Sequence, residues 1–285
     1  MKALVFGLLL AIASLPSFAQ PAAVIESVQT PAWLERGGKR VPLVPGMELR
    51  AGDRIATGAG SRALVKLSEG SVVKLGENGT LRLAELQPSR ELFKAALQVL
   101  QGAFRFTTDI VGKGRRRGVN VRVEQVTIGI RGTDVWGRSH PDRQVVCLIE
   151  GAVKVGAEGE QAVTLHKPRQ FYRRDMGKTQ PVGFVGANQI AEWAKQTEIE
   201  AGKGALRRGG RFSVQLAAAD KEEAARAVRD KLRTAGYPAE IARRKETDKL
   251  VHVVHIRQLP SREEAQALAG QLKGKFRLDA PKVLP

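Results

Sequence analysis

Phe212-Ser213-Val214-Gln215-Leu216-Ala217-Ala218-Ala219-Asp220-Lys221-Glu222-Glu223-Ala224-Ala225-Arg226-Ala227-Val228-Arg229-Asp230-Lys231-Leu232-Arg233-Thr234-Ala235-Gly236 decides the C-terminal fold, because the hydrophobic period changes within it. Phe212 to Leu216 alternates as a half-buried strand does. Ala224, Ala227, Val228 and Leu232 then recur at helical spacing. Asp220 stands where an N-cap is expected, and Glu222 and Glu223 fall in the first turn, where the helix dipole favours anions. Gly236 supplies the stop.

Downstream the pattern repeats. Ala239-Glu240-Ile241-Ala242 reads as a second strand and Leu250 to Arg257 as a third. Pro260-Ser261 opens a second helix with Ser261 as cap, Glu263 and Glu264 in its first turn, and Ala265, Leu268, Ala269 and Leu272 as its apolar stripe. Gly274 ends it, and Phe276-Arg277-Leu278 offers a last strand. Residues 211–285 therefore read βαββαβ, an α+β ferredoxin-like (RNP-like) arrangement with two helices on one sheet face and the other face open. Val214, Leu216, Val254 and Ile256 should face the helices. Ser213, Gln215, Val253, His255 and Arg257 should share the open face.

Upstream, residues 24–175 read as all-β. Ala63, Val65 and Leu67 alternate before Ser68-Glu69-Gly70-Ser71; Val73 and Leu75 precede Glu77-Asn78-Gly79; Leu81 and Leu83 follow. Runs of period two separated by Gly-containing turns predict an antiparallel roll or sandwich. Gln98 to Phe106 reads as a strand pair or as one strand bent at Gly102, while Ser89 to Leu97 fits either a short helix or a strand. Val126, Ile128 and Ile130 share a face, and Gly132 breaks the alternation. Lys113-Gly114-Arg115-Arg116-Arg117-Gly118 is a basic loop, either an anion-contact patch or a solvated hairpin tip.

Between the two modules, residues 176–210 are richer in Gly and Pro, with Ile190, Trp193, Ala194 and Thr197 at helical spacing. A short helix in a loose linker is expected, with Lys203 to Arg211 flexible and Trp193 either idle or docked on a neighbouring domain. At the N-terminus, Met1-Lys2, an apolar run from Ala3 to Leu15, and Ser17 and Ala19 flanking a cleavage position before Gln20 have the layout of a secretory signal peptide over 1–19. The run is too short for a spanning helix, which needs about 20 apolar residues. No later stretch is long and apolar enough either, so the mature chain is expected in the periplasm without an integral membrane segment.

The 285 residues carry a formal net charge of +18. Behind a signal peptide, that charge points to envelope polyanions or acidic proteins as partners, or to a merely solvated basic surface. The lone Cys147 lies in the apolar run Val145-Val146-Cys147-Leu148 and reads as a core residue. The four histidines and one cysteine show no metal-ligand spacing, and no nucleophile elbow or acid pair is present, so no metal, cofactor or enzymatic activity is expected. Asp53 and Asp134 read as turn residues of a β module.

Two resemblances follow from these residues. Leu49-Arg50-Ala51-Gly52-Asp53-Arg54-Ile55-Ala56-Thr57-Gly58, Ser61-Arg62-Ala63, Glu69-Gly70-Ser71, Gly102-Ala103-Phe104-Arg105-Phe106, Arg131-Gly132-Thr133 and Leu148-Ile149-Glu150-Gly151 resemble, in order, the motifs of FecR-type periplasmic domains. That resemblance implies a β-rich extracytoplasmic module without shared catalytic chemistry. The 211–285 region resembles the SPOR domain, through Val214-Gln215-Leu216, the helix closing at Gly236-Tyr237-Pro238-Ala239, Val251 to Ile256, and Ser261-Arg262-Glu263-Glu264-Ala265. It departs from the pattern where Arg257-Gln258 replaces the usual Gly-Pro. The resemblance implies binding of peptidoglycan glycan strands stripped of stem peptides, with Ser213, Gln215, Val253, His255 and Arg257 as candidate contacts. Gln215 can exchange hydrogen bonds with sugar amides and hydroxyls, and Arg257 and protonated His255 can pair with the muramic carboxylate.

Alternatives remain. In one, the chain is an envelope adaptor or signalling protein: the β module binds a protein partner and the C-terminal domain only localises it. A βαββαβ sheet on a basic chain also fits an RNA-binding module, but 251–257 carry no aromatic except histidine, and an exported chain meets no nucleic acid.

Overall fold

The computed structural model describes residues 21–89, 92–108, 116–130, 132–246, 249–276, 278 and 280–285. The expected signal peptide, Lys113 to Arg115 of the basic loop, Arg131 and Arg277 lie outside the described residues; Arg116 to Gly118 begin the strand Arg116–Val123.

The N-terminal part forms two sheets that share one strand. In the first, Ala205–Arg207, Ala23–Gln29, Arg62–Leu67, Val72–Leu75, the second half of Leu92–Thr107, Asp134–His140, Arg143–Glu150 and Gln170–Asp175 lie side by side. The second runs from Lys39–Pro42 through Ala32–Arg36, Arg54–Thr57, Thr80–Gln87, the first half of Leu92–Thr107, Arg116–Val123, Val126–Ile130 and Val153–Ala157 to Val163–Leu165. The sandwich class matches the sequence reading.

Leu92–Thr107 resolves both ambiguities as a single bent strand. Phe93, Ala95, Leu97 and Val99 are buried at odd positions, Phe104 and Phe106 at even ones. One extra residue near Gly102 flips the parity, so both halves keep their large side chains between the sheets. Gly102 has φ +88°, and a Cβ there would lie 2.6 Å from the Gly79 Cα, so only glycine fits the bend.

The 176–210 segment differs from a loose linker. The helix Ala187–Lys195 is present, but it is held against the first sheet. Trp193 stacks on Trp136 with ring centroids 4.6 Å apart and planes 9° from parallel. Glu198 receives Lys74 and Arg105, each at 2.7 Å, and Glu200 receives Arg62 at 3.3 Å. Lys203 to Arg211, expected to be flexible, contains Ala205–Arg207, paired antiparallel to Ala23–Gln29 with Leu206 fully buried. An open strand edge beside an apolar residue overrode the local glycine content.

The C-terminal part is a four-stranded sheet in the order Glu240–Glu246, Lys249–Leu259, Phe212–Ala219, Lys282–Leu284. Helices Glu222–Thr234 and Arg262–Leu272 pack on one face through buried Ala225, Leu232, Ala265, Leu268 and Leu272. Three sequence expectations need correction. The stripe of the first helix runs through Ala225, Val228 and Leu232, with Ala224 and Ala227 exposed, because the seven-residue step from Ala225 to Leu232 selects among neighbouring alanines. Its N-cap is Lys221, without a side-chain hydrogen bond, rather than Asp220. The last strand is Lys282–Leu284, not Phe276 to Leu278: Gly274 and Phe276 turn the chain at positive φ and send Leu278 into the core. Ser261 does cap the second helix, accepting from the Glu264 amide at 3.2 Å.

The two parts are docked. The Trp33 indole N–H donates to the Thr234 carbonyl at 3.1 Å, and the Ala32 amide donates to the Gly236 carbonyl at 3.2 Å. Gly236 has φ +87°, and a Cβ there would lie 2.6 Å from the Trp33 ring.

Candidate functional site

The open face of the C-terminal sheet is built by register. His255 lies opposite Gln215 on one side and Glu240 on the other, and Gln215 lies opposite Lys282. Directly opposite residues share a face, so Glu240, His255, Gln215 and Lys282 make a polar row across all four strands. Two residues further along their strands, Ser213 and Arg257 stand beside this row. Val214, Leu216, Val254 and Ile256 are buried toward the helices, as the alternation predicts.

The row is wired internally. The Arg244 guanidinium donates to Gln215 Oε1 at 2.9 Å, and Arg257 is ion-paired with Glu240. Arg244 and Gln215 sit on strands separated by Lys249–Leu259, so their bond crosses that strand. Val253, midway between them in register, is only 2 % exposed. Of the five candidate contacts, Val253 is therefore a covered floor and not a surface group. The other four reach the face.

His255 also differs from its expected role. Burial first and then Arg257 lower its pKa from the ordinary 6.5, opposed by Glu240 and the Val253 backbone, with Arg244 lowering it least. The imidazole is neutral at neutral pH, and its Nε2 has no hydrogen-bond partner among the described residues. Neutral, and with that nitrogen buried, it is not the cation the sequence reading assigned.

Sequence reasoning missed Arg244, Glu240 and Lys282. The second strand was expected to end at Ala242, whereas it continues to Glu246. Extending the alternation two residues from Ala242 puts Arg244 on the open face. That was the usable signal.

Ser213 and Arg257 also line a cleft of about 440 Å³, bounded by Arg211, Phe212, Pro238, Glu240 and Gln258 and, from the N-terminal part, by Val44 and Leu206.

In the N-terminal part, the motif residues act as clamps. Asp53, 1 % exposed, accepts both Nε and Nη2 of Arg36, at 2.7 and 2.6 Å, and the Arg50 amide at 2.7 Å. Asp134 accepts the same fork from Arg105, at 2.9 and 2.6 Å. These hydrogen bonds raise the pKa of Arg36 and Arg105. Cys147 is fully buried, and desolvation pushes its pKa up to about 12, which leaves the thiol unreactive at neutral pH. Among the described residues, no cluster of three or more His, Cys, Asp or Glu is placed to hold a metal, and no helix is long and apolar enough to cross a membrane.

Comparison with known proteins agrees with this division. Residues 53–154 match the FecR protein family model, and residues 209–280 match the SPOR domain model. The chain carries a FecR-type region followed by a SPOR-type region, the arrangement read from sequence. Both families are non-catalytic, and the SPOR match supports peptidoglycan binding. Two crystal structures of a candidate anti-sigma factor from Parabacteroides distasonis align with 15 % and 14 % identity over 70 % and 69 % of this chain. They are covered to 97 % and 96 %, with a TM-score of 0.41 in each case, too slight a likeness to carry an argument. No curated protein matches the chain.

Proposed function

We propose that this chain is an exported, non-enzymatic periplasmic protein that binds peptidoglycan through the open sheet face of its SPOR-type region. Its preferred ligand is glycan stripped of stem peptides, such as accumulates at a division septum. The observation that carries this reading is the polar row through Gln215 and His255, flanked by Arg244 and Arg257. Peptide removal exposes a lactyl carboxylate on each muramic unit, a repeated anion along a strand of amides and hydroxyls. An incoming carboxylate can replace Gln215 Oε1 as the acceptor for Arg244, which frees the Gln215 amide for a sugar group. Exchange of a neutral acceptor for a charged one strengthens the arginine's bond.

The FecR-type region is assigned an interaction or sensing role. Phe184 and Val182, 59 % and 38 % exposed, lie beside the first half of the strand Gln170–Asp175 and are a pair of apolar side chains open to a protein partner.

Co-sedimentation of the full mature chain with sacculi, before and after amidase treatment, tests the reading. Retention should rise after peptide removal and fall in Gln215→Ala. Equal retention of both proteins on both preparations would mean that a basic chain adheres to an anionic wall without a site.

A further inference from the structure

We infer that the glycan site is composite: the N-terminal part of the chain supplies one wall of a cleft that continues the SPOR-type sheet face, through Val44. This rests on the peptidoglycan reading above and adds to it a second region of the chain.

The cleft of about 440 Å³ begins where the polar row ends. Ser213 and Arg257, which line it, lie two residues from Gln215 and His255 on the same strands and the same face. A ligand lying along the row therefore runs into the cleft without changing face. Its lining has the composition of a sugar site. Ser213 presents a hydroxyl and Arg211 and Arg257 two cations, while the Phe212 ring packs toward the core behind them. Arg257 is neutralised by Glu240, while Arg211 is exposed and forms no ion pair among the described residues. Hydroxyls and cations suit a sugar carrying a carboxylate. The volume falls in the range of about 300 to 1,000 Å³ usual for small-ligand sites, which accommodates a sugar or two and not a long strand.

The opposite wall comes from elsewhere in the chain. Val44, half-buried, follows the strand Lys39–Pro42, and the fully buried Leu206, from the strand paired with Ala23–Gln29, backs it. That wall is held in place by the docking contacts, Trp33 to Thr234 and Ala32 to Gly236, so the cleft exists only while the two regions stay joined. A glycan strand lying along the row is thereby met on this side by Val44.

Val44 is half-buried at the mouth, and charge placed there tests the wall directly. In the full mature chain, Val44→Asp should weaken retention on amidase-treated sacculi about three- to tenfold at low salt, and Val44→Arg should leave it unchanged or strengthen it. Opposite responses cannot come from a general folding defect, and thermal melts of both variants check the fold. If both variants bind as wild type, or both weaken alike, the composite cleft is overturned. In that event, Gln215→Ala decides the underlying reading: weakened binding keeps the sheet face as the site, and unchanged binding removes both.

Discussion

Glu264 accepts the amide hydrogen of Gly204 at 2.7 Å, across the seam between the helix Arg262–Leu272 and the segment that leads into the strand Ala205–Arg207. The same carboxylate takes the amides of Gly202 at 2.8 Å and Ala205 at 2.9 Å. One side chain, 8 % exposed, therefore satisfies three backbone donors and fixes the approach of the strand Ala205–Arg207 to its partner. First-turn acids are ordinarily explained by the helix dipole, and Glu263 needs no more than that. Glu264 is an anchor.

Glu264→Ala should accordingly destabilise the protein by about 3 kcal/mol, because it strands several buried donors at about 1 to 3 kcal/mol each with some relaxation. Limited proteolysis should cut between Gln196 and Arg211 in the variant and spare that stretch in the wild type. A variant as resistant as wild type, with an unchanged melting temperature, would remove the anchor role.

The pH response follows from His255. Its pKa is lowered below 6.5 in the folded chain by burial first, then by Arg257, and least by Arg244. The unfolded chain therefore binds more protons just below pH 6.5, and stability falls as pH falls through that window. Above about pH 6.5 the contribution is fully present. Replacing His255 by Asn should flatten this part of the stability profile, measured by denaturant unfolding between pH 5 and pH 8. Glycan retention should show no gain on acidification from pH 7.5 to 6.5; a gain that vanished in His255→Asn would show that the imidazolium binds.

Much of this was legible in the sequence, and the exceptions have physical causes. Periodicity located the β runs at Ala63, Val73 and Leu81 and both helices of the C-terminal part, because each buries a regular stripe. It could not choose among Ala224, Ala225 and Ala227, which are chemically alike. It left open whether Trp193 docks, because its stacking on Trp136 brings together residues 57 positions apart and leaves no local periodic trace. Glycine content likewise marked Lys203 to Arg211 as flexible, whereas Glu264 and the edge of Ala23–Gln29 order it. At the site, the alternation put Gln215, His255 and Arg257 on the open face. It could not register that Arg244 reaches across a strand and covers Val253.

Gln258 stands at the proline position of the Gly-Pro pattern, and its positive φ is closed to proline, whose ring holds φ at about −65°. Its φ is +67°, a conformation that glycine adopts freely and other residues at a cost of about 1 to 2 kcal/mol. Its Oε1 is buried without a partner among the described residues. Gln258→Gly should stabilise the C-terminal region by about 1 kcal/mol, since the relieved strain exceeds the entropy that glycine adds to the unfolded chain. Thermal unfolding reads this directly, and a lower melting temperature would mean that the Gln258 side chain makes a packing contribution larger than the strain.

Arg244 is the residue on which recognition and preorganisation can be separated. It holds Gln215 Oε1 at 2.9 Å, so removing it has two possible effects: loss of a cation facing the glycan, and loss of the contact that orients Gln215. Arg244→Gln divides them, because a glutamine keeps a donor for Gln215 but carries no charge. If the cation meets the muramic carboxylate, Arg244→Gln and Arg244→Ala should weaken retention on amidase-treated sacculi alike, by about 1 to 2 kcal/mol, the range below a fully buried charged hydrogen bond. Both should also show a shallower salt dependence than wild type, since one screened charge pair has gone. If Arg244 only positions Gln215, the glutamine variant should bind as wild type and keep the full salt dependence. We expect the first result, because the Arg244 guanidinium reaches Gln215 at the centre of the row, where a glycan carboxylate would lie. Salt titrations of the wild type and the two variants decide between them.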